Sequence, residues 1–539
     1  ASPAALIGED CDCSGSGLAD VTLDVSPFDV LTDTSTRVRV QALVLPRPDL
    51  DPDSVVLLRT DAGDQQLCQL EDNGNLANGD DVAGDSVFSC FVTLFEPEEL
   101  TLGLRAEAAV DGGSISSAVF AVNVVEPLTF AEAAAILDVQ HAALDIWADQ
   151  LAVLGDTLEA REAAVDEIAL LPGVAAAGVG ADGLTISIHH ETGVIGSLGL
   201  NPADTRGGTA SENRAAQAAA SLAAAAPSVP PTELSPSLAQ VVEAAAAEEG
   251  PPKVGNKRVL IWDAYDSEFA PDDEGPAIRD LYEDSECPKF DVTYLVNEQC
   301  TLDSVKTFAN YGTIVMITHG QVGDDSRVSF YTRTPATQGN LVNNGIDIHL
   351  GRLEVVTRFQ GDVIAVRPGF IDLRVPGKFD NSLIYNGSCS SGANSSLAKS
   401  FLDKGVGIYY GYSDTVGSKF AAGAGEQLFE ALVEDRKNAG EAYDEVNPKT
   451  EPNRNATLFW FGDTDLEYGE GLENGSFELG RLAAWGKSGD GRVVPTLSPV
   501  SPTDGQFMGL ISTGLGFTTT SGLIEQNFCL PEEATHIRF

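Results

Sequence analysis

Between residues 256 and 414, short apolar runs alternate with stretches of helical character, and that order restricts the fold more than anything else in the chain. The runs are "NKRVLIWDAY", "FDVTYLV", "YGTIVMITHG", "SLIYNGSCSSG" and "GVGIYYGYSD". Between most of them, and after the last, come "EGPAIRDLYED", "TLDSVKTFAN", "NSSLAKSFLDK" and "AGAGEQLFEALVEDRKN". Strands that alternate with helices must cross over, so they pair in parallel, and the crossing helices cover both faces of the sheet. Residues 328 to 380 break the alternation with β-rich sequence, expected as an inserted hairpin or small sheet. A parallel sheet of this kind binds its ligand beyond the carboxyl ends of its strands. Two ends here carry reactive side chains. "TIVMI" runs into Thr318, His319 and Gly320, and "SLIY" runs into Asn386, Gly387, Ser388, Cys389, Ser390 and Ser391. If the two strands are neighbours, an imidazole meets a thiol, as a Cys-His dyad requires.

A hydrophobic strand ending in His-Gly, followed by a later one ending in a small residue and Cys, resembles the caspase-like clan of cysteine peptidases. Within that clan "GSCSSG" looks closest to separase and CHAT peptidases, and "ATLFWFGDTDL" is similar to the end of CHAT and gingipain-type domains. The likeness spans 254–468, about two-fifths of the chain. The interval from His319 to Cys389 is longer than the ~50 residues of caspases, and the Cys signature is not theirs. These departures exclude true caspases rather than the clan, and the β-rich insert accounts for the interval.

The resemblance implies an α/β domain with a mostly parallel sheet, Cys389 as nucleophile, His319 as its base, and an oxyanion hole made by the N–H groups of Gly320 and Cys389. Such chemistry requires no cofactor and acts on a protein or peptide substrate. The clan's habit of holding a basic P1 side chain with an acid points to Asp414 in "GYSDTVGS", with Asp263 and Asp266 in "IWDAYDSEF" as rivals. Two other readings stand beside this one. A Cys at a strand end is often a buried small hydrophobe, which would leave an inactive peptidase-like domain in a surface or adhesive protein. Alternatively, the chain binds a glycan through its C-terminal segment, where Trp485 is the candidate aromatic.

The remaining segments read as separate modules. Residues 1–16 form a Gly/Ser-containing leader. Residues 17–126 alternate apolar and polar positions in short runs bounded by turns, which points to an immunoglobulin-like β-sandwich. Inside it, "LEDNGNLANGDDVAGDSVFS" brings Asp72, Asn73, Asn75, Asp80 and Asp85 close together in sequence. These are hard oxygen ligands suited to structural calcium, although a long turn needs the same residues. Residues 127–200 read as one long helix or two from an N-cap at Thr129, then strand, Asp-Gly turn, strand, and they resemble propeptide-like modules of secreted peptidases. His189 and His190 are adjacent on a strand, point to opposite faces and read as structural. Residues 201–253 are Ala/Pro-rich linker with a short helix near 235–248, and Arg206 and Arg214 are its candidate cleavage points. Residues 469–539 look like the opening half of a β-rich jelly-roll module.

The charge balance narrows the partners. With 81 acidic against 32 basic side chains, the 539-residue chain carries a formal charge of −49. That field repels nucleic acid and anionic lipid, and no apolar run is long enough for a membrane span. Spacing suggests disulfides Cys68 with Cys90 and Cys287 with Cys300, an oxidising compartment and a secreted or cell-surface protein. The start at Ala1 fits removal of a signal peptide. Cys11 and Cys13 are open, and Cys529 has no evident local partner.

Overall fold

The computed structural model describes residues 20–80, 83–199 and 251–469 continuously, and parts of 472–529. The linker between, with Arg206, Arg214 and the expected helix near 235–248, lies outside the described residues, as do Cys11 and Cys13. The chain is multidomain, with several sheets, some of them mixed, and helices.

The first unit is two sheets around one core. Val21–Ser26, Thr36–Val44 and Val87–Leu94 form an antiparallel three-stranded sheet, and Asp29–Leu31, Phe120–Val125, Leu100–Val110, Val56–Arg59 and Gln65–Gln69 form the other. The period of two decides what is buried: Val38, Val40, Ala42 and Val44 point into the core, while Arg37, Arg39 and Gln41 point out. Cys68 and Cys90 are bonded as expected.

The central sheet has six strands. Their order in space is Asp291–Val296, Arg258–Asp263, Thr313–Ile317, Ser382–Asn386, Val406–Tyr412 and Leu458–Gly462. The first five are parallel and the last is antiparallel. Every residue of Thr313–Ile317 and Ser382–Asn386 is buried, so both faces are covered. Helices Gly275–Asp284 and Ser418–Val433 pack together, and Pro368–Arg374 packs against Ser396–Asp403. Taken in chain order the strands run 2-1-3-4-5-6. The direction of winding therefore reverses between Arg258–Asp263 and Thr313–Ile317, the kind of crevice where doubly wound sheets bind ligands.

The β-rich stretch is larger than an inserted hairpin. A mixed seven-stranded sheet runs Val174–Val179, Ile186–His190, Ile195–Leu198, Leu353–Thr357, Val363–Val366, Val328–Pro335 and Gly320–Val322. Residues 127–200, read above as a propeptide-like module, thus supply three strands to a sheet completed by 320–366, with Ile195–Leu198 pairing in parallel with Leu353–Thr357. Periodicity shows that strands exist, but not across which sequence gap they pair. The helical part forms Phe130–Leu154 and Leu158–Ile168, opened by a capping box in which Thr129 and Glu132 serve each other's N–H. His189 meets Asp324 at 2.9 Å on one face, and His190 meets Gln140 at 3.2 Å on the other.

A buried ion network joins the first unit to residues 347–374. Asp29, fully buried, accepts from Arg352 at 3.1 Å and pairs with Arg374 at 3.0 Å; both arginines also pair with Asp347.

Towards the C-terminus two strand pairs appear: Gly486–Ser488 with Leu523–Glu525, and Asp490–Val494 with Met508–Ser512. The pairing expected for Cys287 is overturned here. Cys287 bonds Cys529, which supplies the partner that Cys529 lacked in sequence, and Cys300 is a free, buried thiol. Cys300 follows the edge strand and turns into the main core, where its Sγ donates to the Leu295 carbonyl and burial pushes the thiol well above its usual range. Among the described residues no helix is long and apolar enough to cross a membrane.

Candidate active site

His319 stands where one strand passes between sheets. Thr313–Ile317 ends in the central sheet and Gly320–Val322 opens the edge of the seven-stranded one. The corner is held from both sides, because the Tyr331 N–H donates to the His319 carbonyl at 3.0 Å and the Thr318 hydroxyl donates to the Tyr331 carbonyl at 2.7 Å. The imidazole is 0 % exposed. Its ring packs on Tyr265, Phe269 and Tyr331 at centroid distances of 4.2, 4.9 and 5.8 Å. Nε2 lies 3.1 Å from Glu268 Oε1 and 3.1 Å from Arg358 Nη2, and Arg358 also donates to Glu268 at 2.8 Å. Burial by itself would raise the Glu268 carboxyl; His319 and Arg358 outweigh it and hold the group down at about 2.

Cys389 follows the neighbouring strand, Ser382–Asn386, which pairs in parallel with Thr313–Ile317. It is 1 % exposed, and its Sγ lies 3.7 Å from the Val416 carbonyl oxygen. The two strand ends touch. A Cβ on Gly320 would fall 2.5 Å from Ser388 Oγ and 2.6 Å from the Cys389 carbonyl oxygen, so only glycine lets the residue after His319 approach the residues around the thiol this closely.

The turn after Cys389 is strained and clamped. Ser390 adopts φ +55, a left-handed conformation that is unfavourable for a residue with a side chain. Its N–H donates to the Asp414 carbonyl at 3.0 Å, and Gly392 N–H donates to the Tyr412 carbonyl at 2.7 Å. The hydroxyls of Ser388 and Ser391 are already used. Ser388 Oγ donates to Asn386 Oδ1, and Ser391 Oγ lies 2.8 Å from both the Asn386 and the Ser388 carbonyls.

The expected acids fall in different settings. Asp414 reaches solvent at the carboxyl edge of its strand, where its side chain accepts the Thr415 N–H at 2.7 Å. Crowding by surrounding protein, then the negative charges of Asp182 and Glu451, raise its carboxyl above the usual range. Asp263 is fully buried under the Tyr294 hydroxyl, and Asp266 is half-buried beside Asn297. In the loop of the first unit, Asp72, Asp80 and Asp85 converge, each offering an oxygen within 4.8 Å of the others. The Oδ1 atoms of Asn73 and Asn75, in the same loop, accept the N–H groups of Asn75 and Ala77 in local turns. Burial, with Asp72 and Asp80 beside it, lifts Asp85 to about 7. Trp485 is half-buried, its indole N–H donating to the Asn474 carbonyl and its ring tilted against Phe477.

Sequence reasoning stopped short of Glu268 and Arg358. Glu268 had a signal, since it lies five residues past Asp263, at a strand end already suspected. Arg358 had none, because it reaches His319 from the other sheet. No family model matches the chain, and no curated protein matches it.

Proposed function

We propose that residues 254–468 are a caspase-like cysteine endopeptidase in which Cys389 attacks, His319 moves the proton and Glu268 orients His319. The observation that carries this reading is the imidazole held by a carboxylate at the carboxyl edge of a 2-1-3-4-5-6 sheet, with the next residue, Gly320, pressed against Ser388 and Cys389. A free thiol with pKa ~8.5 is only a few per cent ionised near neutrality. With Nε2 facing Glu268 and Arg358, the thiol proton goes to Nδ1. The thiolate adds to the scissile carbonyl carbon, and the N–H groups of Gly320 and Cys389 stabilise the oxyanion, each donor contributing about 3 kcal/mol. Collapse breaks the C–N bond and the leaving amine takes the proton from the imidazolium. Water then cleaves the thioester and returns a proton to sulfur.

Asp414, at the carboxyl edge of its strand and under the negative charge of Asp182, is the acid that supports cleavage after Arg or Lys. The two-sheet unit fits an immunoglobulin-like sandwich and the C-terminal strand pairs part of a jelly-roll, in a secreted protein cross-linked by its disulfides. The loop at Asp72, Asp80 and Asp85 is the structural calcium candidate of the first unit.

One observation favours a second reading. Cys389 and His319 are almost completely covered, as in a domain that keeps the fold for binding and has lost catalysis. Fluorogenic peptides differing at P1 separate the two. Cys389→Ala and His319→Ala should each abolish hydrolysis, and Asp414→Ala should lower kcat/KM for Arg substrates about a hundredfold. No hydrolysis by the wild type, together with no labelling of Cys389 by iodoacetamide, would establish the inactive domain.

A further inference from the structure

The loop that leaves the first strand of the central sheet gathers three carboxylates. Asp263, Asp266 and Asp273 each present an oxygen within 4.8 Å of the others. Three oxygens of this group have donors: the Tyr294 hydroxyl to Asp263 Oδ2 at 3.0 Å, the Gly275 N–H to Asp273 Oδ1 at 2.8 Å, and Asn297 Nδ2 to Asp266 Oδ2 at 3.2 Å. Asp263 is 0 % exposed, yet its Oδ1 meets no hydrogen-bond donor, and the same holds for the buried Asp273 Oδ2. The charges that weigh on Asp263 are Asp273 and Glu274, both negative. Buried carboxylate oxygens without donors are retained only where something positive satisfies them.

We propose that Asp263, Asp266 and Asp273 bind a hard divalent cation, with calcium the best match. Every donor is oxygen, and among the described residues no nitrogen or sulfur ligand joins the cluster, which selects calcium or magnesium over the transition metals. Three carboxylates fixed by the fold at irregular positions suit calcium's variable coordination better than magnesium's octahedron. A proton is the rival occupant, since burial, followed by the effect of Asp273, lifts the Asp263 carboxyl to about 9. The cation's consequence rests on the peptidase reading: its ligands bracket residues 264–272, and that segment carries Glu268. Cation binding closes the loop at both ends and holds Glu268 against His319, so calcium positions the candidate base without touching substrate.

Isothermal calorimetry on the full chain tests this with no need for turnover. It is run in an Asp85→Asn background, where the amide keeps the bond from the Val87 N–H and the other acidic cluster loses a charge. Calcium should bind at one site, and Asp266→Asn and Asp273→Asn should each weaken it by about tenfold or more. Both replaced residues are half-buried, so the variants are expected to fold, and a thermal melt without calcium checks that. Absence of calcium heat in the Asp85→Asn chain, or binding indifferent to both variants, overturns the site. So does a calcium-insensitive protein that Asp273→Asn stabilises, because the occupant is then a proton. If calcium binds but no peptide is cut, the site stands and the peptidase reading fails.

Discussion

Neutralising Glu268 tests the electrostatics around His319 quantitatively. Glu268→Gln keeps the shape and removes the charge. The carboxyl is held at about 2 against an ordinary 4.5, which corresponds to about 3.4 kcal/mol at about 1.4 kcal/mol per tenfold in ionisation. The variant also leaves Arg358, almost fully buried, without its counter-charge. Breaking a buried pair costs about 3–5 kcal/mol, so the two routes agree on roughly 3–4.

The pH dependence separates charge from packing. The folded value lies below the unfolded one, so the stabilisation is fully present above pH 4.5 and disappears as pH falls through 2. At pH 3, linkage leaves about 1.4 kcal/mol of the carboxylate's contribution. The assay is urea unfolding followed by labelling of Cys300, a free thiol buried in the same core, with a dithiodipyridine reagent that works in acid. Reading the label on the Cys300 peptide reports this core alone, without treating a multidomain chain as two-state. Wild type and Glu268→Gln should differ by roughly 3 kcal/mol at pH 7 and by less than half of that at pH 3. A gap below about 1 kcal/mol at pH 7, or one that does not shrink in acid, would mean that the Glu268 charge does not stabilise this core.

Two further outcomes follow from the packing between units. Asp29→Ala removes the fully buried carboxylate that Arg352 and Arg374 share, and should destabilise the junction by about 3 kcal/mol; limited proteolysis near 126–129 should accelerate, and unchanged proteolysis would mean that the network carries little. Non-reducing peptide mapping should recover the Cys287 peptide joined to that of Cys529 and the Cys300 peptide as a free thiol, whereas a Cys287–Cys300 peptide would contradict this arrangement.

The local elements were legible because each is determined by neighbours in the chain. A period of two marked Thr36–Val44, an N-cap residue marked the start at Thr129, and unbroken apolar runs marked the strands that end beside His319 and Cys389. The order of reactive residues at strand ends likewise needs only sequence and the rule that parallel sheets bind at their carboxyl edge. Partnership across the fold is a different matter. Cys287 chose Cys529 over the nearer Cys300 because side-chain direction and burial decide pairing, and sequence separation carries neither. Three strands before residue 200 joined strands after residue 320 because an open sheet edge accepts any chain that reaches it. Glu268 and Arg358 meet at one imidazole only because two sheets share the corner at Thr318–His319. A linear pattern fixes which face a side chain takes; which charge stands opposite it is set when separate segments are packed to exclude water.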